Sequence, residues 1–388
     1  MTQRPPSRGA FILLAGVIVA GVAIVGGRQP ATAVDRLLMK RDSVEQELVG
    51  RIVVKAQDGG VLFETRDAAL WTVPPEEQVR LSADAETFAP LADDELTQTL
   101  LKQLPAGFET VTTKHYVICF NTSRAYAQWC GSLFERLYQA FTNYWSSRGF
   151  KLTEPEHPLV AIVFADSTSY KRFAQAELGA AVDSIIGYYS LKTNRMTMYD
   201  LTGTAGMAGD RGSAAQITRT LSQPAAAKTV ATIVHEATHQ IAFNCGLHRR
   251  YADIPLWLSE GLAVYFETPD LDGAKGWRTI GKVNQPRLAL FRLYGRTRPA
   301  DSLQTLIRDD VRMRDGKLAP DAYAEAWALN YFLINAKAKQ YQTYVQGLAE
   351  KKPLVWDEPE ERLAAFRAAF GDLETLDREF LRYVSRLR

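Results

Sequence analysis

Charge imbalance, cysteine and repetition are all scarce in this chain. Its 388 residues carry a formal net charge of +2. The basic residues are scattered and interleaved with acids, so no basic stripe marks a nucleic-acid footprint and no nucleic-acid partner is expected. Three cysteines, Cys119, Cys130 and Cys245, are an odd number, which leaves one thiol over however the others pair. No segment recurs at a fixed period, which sets aside solenoid and array architectures. Apolar residues, by contrast, make up 46% of the chain and charged ones 23%, ordinary for a globular protein with a core. At roughly one domain per 150 residues, the length suggests two or three units.

The N-terminus has the order of an export signal. Arg4 and Arg8 precede an uncharged run at 10–27, AFILLAGVIVAGVAIVGG, and Arg28 and Ala31-Thr32-Ala33 follow it. A basic start, an apolar run and an A-x-A site fit a signal cleaved after Ala33. The same run is just long enough to remain as a membrane anchor. With the positive charges ahead of the run, either reading places the rest of the chain outside the cytoplasm. It would then be periplasmic, extracellular or anchored at the membrane. Export permits disulfides, and a Cys119–Cys130 bridge would tie a helix back to its sheet. Three buried, unpaired thiols are the alternative.

The pattern along the chain is α+β. After the signal or anchor at 1–33, residues 34–84 read as a small β-barrel or meander. EQELVGRIVVKA, VLFET, AALWTV and EQVRLS are short strand patterns, with a hairpin signal at Asp58-Gly59-Gly60. Residues 85–107, acidic and helical in part and ending at Pro105-Ala106-Gly107, read as a linker. Residues 108–270 alternate strands with helices. FETVTTKHYVICFN and PLVAIVFA are strands, and IIGYYSLKTNRMTMYDL is a hairpin turning at Lys192-Thr193-Asn194. A helix is predicted over 123–148, with Leu133, Leu137, Phe141 and Trp145 along one stripe. Another is predicted over 225–243, starting near Pro224 and ending before Gly246. Residues 271–388 read as a helical C-terminal lobe.

The chemistry is carried by His235-Glu236-Ala237-Thr238-His239. On a helix, residues four apart lie one turn above each other on one face, so both imidazoles can reach one Zn²⁺. Glu236 is one residue round and projects toward a water at the metal rather than the metal itself. Zinc lowers the pKa of such a water and the carboxylate accepts its proton. The preceding Thr229–Val234 is apolar and helical, so the histidines sit on a buried helix. Two histidines and a glutamate there are costly to bury without a metal.

Two residues compete as third ligand. Cys245 is six residues past His239, where a metzincin would place its third histidine, but such a site needs glycine at 242, and the residue is Ala242. The helix should continue and carry Cys245 elsewhere. Glu260, in PLWLSEGLA, would complete a His₂Glu site on a second helix and leave the fourth position open. Gly261 beside it would let two helices approach closely. Glu267, seven residues on, reads either as a hydrogen-bond partner for a ligand or as a solvated acid at the helix end.

HEATHQ followed by PLWLSEGLAVYFE resembles the gluzincins, whose aminopeptidase branch carries H-E-x-x-H and then W-L-x-E-G-x-A. Together with HYVICFNTS, FERLYQAFTNYW and IGYYSLKTNRMTMYDLTG, over about residues 108–340, it looks like DUF1570, a family of exported bacterial proteins common in planctomycetes. The resemblance implies a zincin-like metallopeptidase lobe and no known substrate. The G-x-M-E-N type exopeptidase motif of the aminopeptidase branch is missing. From the same resemblance, Tyr323 in APDAYAEAWALNYFLI is the candidate donor to an oxyanion opposite the base. His248, beside Arg249 and Arg250, is a weaker alternative and reads as a surface residue.

The expectation is zinc-dependent hydrolysis of a peptide or protein substrate, with His235, His239 and Glu260 as ligands and Glu236 as general base. The strand at 195–199 would offer an edge on which an extended peptide lies. The small-residue stretch 202–224 would form either a gate over the cleft or an outward-facing connector. The alternatives are a non-catalytic cell-envelope binding protein on the same fold, and a zinc amidase acting on cell-wall peptides.

Overall fold

The computed structural model describes residues 33–202, 213–268 and 279–388. The expected signal or anchor, with its apolar run at 10–27, lies outside the described residues up to residue 32. Among the described residues, no helix is long and apolar enough to cross a membrane. The chain is α+β, with β-sheet toward the N-terminus and helices toward the C-terminus.

The first sheet is antiparallel. It comprises β1 (Ala33–Arg41), β2 (Val44–Lys55), β3 (Val61–Thr65), β4 (Leu70–Val73) and β5 (Gln78–Thr87) in the order β4-β3-β2-β1-β5. Alternation puts Leu37, Met39, Leu48, Phe63 and Val73 into one small core. A two-residue turn joins β1 to β2 with both Asp42 and Ser43 at positive φ, 49° and 66°, the handedness that matches strand twist. The strand patterns in the sequence began only at 45, so β1 was not foreseen. The sheet is also not a simple meander, because β5 crosses back to pair with β1.

The stretch expected as a linker holds α1 (Asp93–Gln103), whose Leu96 and Leu100 are fully packed. The second sheet is mixed. It contains β6 (Glu109–Thr112), β7 (Tyr116–Phe120), β8 (Leu159–Phe164), β9 (Gly187–Tyr189) and β10 (Arg195–Tyr199), in the order β6-β7-β8-β10-β9. Strands β7, β8 and β10 run parallel, and each buries both faces. This explains their near-continuous apolar sequences. Tyr116, Ile118, Ala161, Val163 and Met196 face one core, under α2 (Arg124–Ser146). Val117, Cys119, Val160 and Ile162 face the other, under α1 and α3 (Ser167–Leu178).

This alternation overturns the Cys119–Cys130 bridge. Cys130 lies on α2 in one core and Cys119 points into the other, across the sheet. Both thiols and that of Cys245 are free and buried. The edge strand also differs from expectation. Strand β10 is interior, parallel to β8 on one side and antiparallel to β9 on the other, so the edge is β9.

The helical remainder begins with α4 (Ala214–Leu221), α5 (Pro224–Asn244) and α6 (Leu256–Phe266). It continues through α7 (Gln285–Tyr294), α8 (Ser302–Arg308), α9 (Val311–Arg314) and α10 (Ala319–Ala336). The chain finishes in α11 (Ala338–Ala349), α12 (Pro359–Phe370) and α13 (Leu373–Ser385). Of the stretch considered as a gate, 203–212 lies outside the described residues. Its C-terminal part is helix α4, and Ile217 and Leu221 are buried in the main core, which removes that part from any mobile lid.

Candidate metal centre

Helix α5 runs under the second sheet. Val230, Ile233, Val234, Ala237 and Ile241 recur at helical spacing and bury one face in the main core. The flank next to that face meets the sheet: Gln240 Nε2 donates to the carbonyls of Val160 (2.9 Å) and Asn194 (3.0 Å). His235 and His239 occupy the remaining buried flank, which faces α6. Every residue of α6 is buried, as expected of a helix apolar all round. Glu260 is the single acidic or basic side chain in its sequence LWLSEGLAVYF.

The structure brings His235, His239 and Glu260 together. His235 Nε2 stands 3.0 Å from Glu260 Oε2 and 3.1 Å from His239 Nε2. His239 Nε2 stands 3.4 Å from Glu260 Oε1. A tetrahedral ion with bonds of about 2.0 Å holds its ligand atoms about 3.3 Å apart. The three groups therefore fit a single Zn²⁺-sized ion, with a fourth direction left over. Cys245 is not in this group. It caps the end of α5, its thiol directed at the Ala242 carbonyl. The helix did continue past Ala242, as the missing glycine implied.

Glu267, left open between two roles, accepts from His235: Nδ1 to Oε1 is 2.8 Å. A carboxylate can only accept, so Nδ1 carries the proton, and Nε2 would give its lone pair to an ion bound in the cluster. Burial opposes a charge on His235, but the carboxylates of Glu260 and Glu267 outweigh it and push the imidazole up to about 10. Burial likewise opposes ionised Glu260, and the facing histidines outweigh it, holding the carboxyl well below its usual range. In the absence of an ion, the cluster acts as a trap for positive charge.

Glu236 lies on the sheet side. Its Oε2 accepts from the Tyr189 N–H of β9 at 3.0 Å, while Oε1 has no partner among the described residues. Burial first, and then the charge of Glu260, push this carboxyl up to about 8. Tyr323, on α10, faces the same point. Its phenol lies near Glu260 and Glu236, and burial first, then these two acids, raise it well above its ordinary value. The Arg287 guanidinium lies over its ring at 5.8 Å and within 3.5 Å of Glu267. Nothing in the sequence around Arg287 pointed to this position. His248 is not a surface residue: it is 2% exposed, packed edge-on against Phe243.

Gly261 does permit a close approach, but to α10 rather than to α5. A Cβ there would stand 2.8 Å from the Ala326 carbonyl carbon. Asn330 closes the same contact by donating to the carbonyls of Trp257 (2.9 Å) and Ala326 (2.8 Å). The helix bearing Glu260 and the helix bearing Tyr323 are thus locked side by side.

Residues 229–355 match the family DUF1570, described as a protein of unknown function. This segment contains the His235–His239–Glu260 cluster, Glu236, Glu267 and Tyr323. No curated protein matches the chain. Among solved structures, the chain is similar to yeast LTA4 hydrolase in complex with bestatin, at 15% identity and a TM-score of 0.35, over 71% of this chain and 37% of that one. It is similar to native yeast LTA4 hydrolase at 14% identity and a TM-score of 0.38, over 69% and 37%. A further structure of native leukotriene A4 hydrolase from Saccharomyces cerevisiae gives 14% and 0.35, over 71% and 38%. The chain thus spans little more than a third of the length of these proteins.

Proposed function

We propose that the chain, whose residues 229–355 match the DUF1570 family, is a zinc-dependent peptide hydrolase of gluzincin type, working outside the cytoplasm. The observation that carries this reading is the buried His235–His239–Glu260 cluster with the unpartnered Oε1 of Glu236 beside it. A structural metal has no need of a buried carboxylate with a free oxygen. A hydrolase does, which favours catalysis over a binding module on the same fold.

Bound at this cluster, zinc would polarise the scissile carbonyl and make water acidic enough to be deprotonated near neutral pH. Glu236 takes the proton on Oε1 and returns it to the leaving amine. Its second oxygen stays on the Tyr189 N–H, which fixes the carboxylate's orientation. Tyr323 supplies a hydrogen-bond donor to the oxygen that gains charge. The edge of β9, which carries Tyr189, is where an extended peptide would pair by strand addition. The basic start and uncharged apolar run at 4–28 support a site of action outside the cytoplasm.

The test is metal analysis of purified protein together with digestion of a broad peptide library, for wild type and Glu236→Gln. The expected result is about one zinc per chain in both, as one three-ligand site implies, and cleavage by the wild type alone. A wild type that takes up no zinc, or a Glu236→Gln protein that cleaves as fast, overturns the reading. Zinc binding without cleavage of any peptide would leave the binding-module alternative.

A further inference from the structure

A second group of ligand-type side chains lies away from the metal cluster: Glu64, Glu156 and His157, with donor atoms within 4.8 Å of one another. It is not a cation site, because two guanidinium groups already occupy its oxygens. Arg51 holds Glu64 Oε2 at 2.5 Å and Glu156 Oε2 at 2.6 Å. Arg250 holds Glu64 Oε1 at 2.9 Å. What the cluster does is join the N-terminal sheet to the region around the metal helix. Glu64 is on β3, and Arg250 is in the loop that follows α5.

Arg250 does more than pair with Glu64. Its Nη1 donates to the Ala68 carbonyl at 2.8 Å and to the Leu191 carbonyl at 3.3 Å. Leu191 is at the tip of the β9–β10 hairpin. The next residue, Lys192, accepts at its carbonyl from the Leu70 N–H of β4 at 2.7 Å, and its ammonium lies over the Trp71 ring. At the base of the hairpin, Arg195 donates to Asp67 at 2.8 Å. Asp67, Ala68, Leu70 and Trp71 thus grip the hairpin from the N-terminal sheet. From the other side Asn194, at a φ of 60°, exchanges amide hydrogen bonds of 2.8 Å with Asn244 of α5. Its Oδ1 also accepts from the Tyr189 hydroxyl at 2.7 Å.

Strand β9 is only three residues long, too short to hold its own position, yet its Tyr189 N–H orients Glu236. We propose that the N-terminal sheet is a brace for the catalytic hairpin, and that Arg250 is the positioning residue that transmits it. Arg250 clamps Glu64 and the hairpin tip at once, and so sets β9 against Glu236. The consequence for catalysis rests on the proposed hydrolase reading; the mechanical role does not.

The experiment is hydrogen exchange, read at the backbone amides of 189–194, on the full chain with zinc content measured in parallel. The variants are Arg250→Gln and Glu64→Gln, which remove the charge pair from opposite ends while keeping polar side chains. Both should speed exchange at Tyr189, Ser190 and Asn194 by about tenfold or more, the size expected when a hydrogen bond to a charged group is lost. Amides of α5 and bound zinc should be unchanged. Unaltered exchange in the hairpin, or equal acceleration throughout the molecule, overturns the proposal. If either variant fails to fold, Asp67→Asn, which weakens the Arg195 contact, decides it by the same readout. Loosening of the hairpin in a protein whose wild type neither binds zinc nor cleaves peptides would keep the brace and discard the hydrolase.

Discussion

Gly261 and Ala326 meet backbone to backbone, so closely that a methyl group at 261 would stand 2.8 Å from the Ala326 carbonyl carbon and nearer still to its oxygen. Gly261 follows Glu260 of the candidate metal cluster, and Ala326 is one turn beyond Tyr323. The contact therefore sets the distance between the proposed ligand and the proposed oxyanion donor.

Gly261→Ala should destabilise the fold by about 1–3 kcal/mol, the usual penalty for overpacking a tight core. The groups that must yield are a helix backbone and a hydrogen-bonded Asn330, not a flexible side-chain end. Denaturant unfolding checks the stability. A variant as stable as wild type would show that α6 and α10 slide apart freely.

Glu267→Ala should weaken zinc binding by about 10–100-fold, the typical effect of removing a hydrogen-bond partner from a ligating histidine. His235 would lose the acceptor at 2.8 Å that fixes its Nδ1 proton and ring orientation. Competition against a chromogenic chelator measures this directly. An unchanged zinc affinity would make Glu267 a helix-end acid and nothing more.

The convergence of His235, His239 and Glu260 is legible in the sequence because the two histidines are written at helical spacing. His235 and His239 are a turn apart, and Glu260 is a lone charge on an otherwise buried, apolar helix. What was not legible depends on distant pairing. Arg250 and Glu64 are 186 residues apart. The return of β5 to β1 and the burial of β10 between β8 and β9 are set by crossovers that leave no local mark. Cys119 and Cys130 looked bridgeable along the chain, yet strand alternation sends Cys119 through the sheet to the other core. The side chain of His248, read as exposed from its neighbours Arg249 and Arg250, is covered by Phe243 of the metal helix.

Tyr323→Phe should retain zinc and lower kcat by about 10²–10³, as loss of one oxyanion donor does. The substitution removes only the hydroxyl that faces Glu260, so packing and the Arg287 contact with the ring stay in place. Steady-state kinetics on a cleaved peptide, with KM and kcat separated, is the measurement. A kcat within about twofold of wild type, well below the loss expected of such a donor, would assign Tyr323 to packing.

His248 makes the last prediction, on stability against pH. Burial above all, and then the nearby His239, hold its imidazole down at about 3, and neither ring nitrogen has a partner among the described residues. An unfolded histidine titrates near 6.5. Between these values the unfolded chain binds a proton that the folded one refuses. The neutral ring's contribution is therefore fully present above about pH 6.5 and is lost as pH falls toward 3, at up to about 1.4 kcal/mol per pH unit. Loss of zinc in acid would add to the same trend, so the comparison is made against His248→Leu, which shares every other group. Denaturant unfolding at pH 7.5 and 5, values chosen at roughly one unit above and well below the free histidine pKa, should show wild type losing more stability than the variant. A difference between the two proteins that stays constant with pH would mean that His248 takes up its proton in the folded state as easily as in the unfolded one.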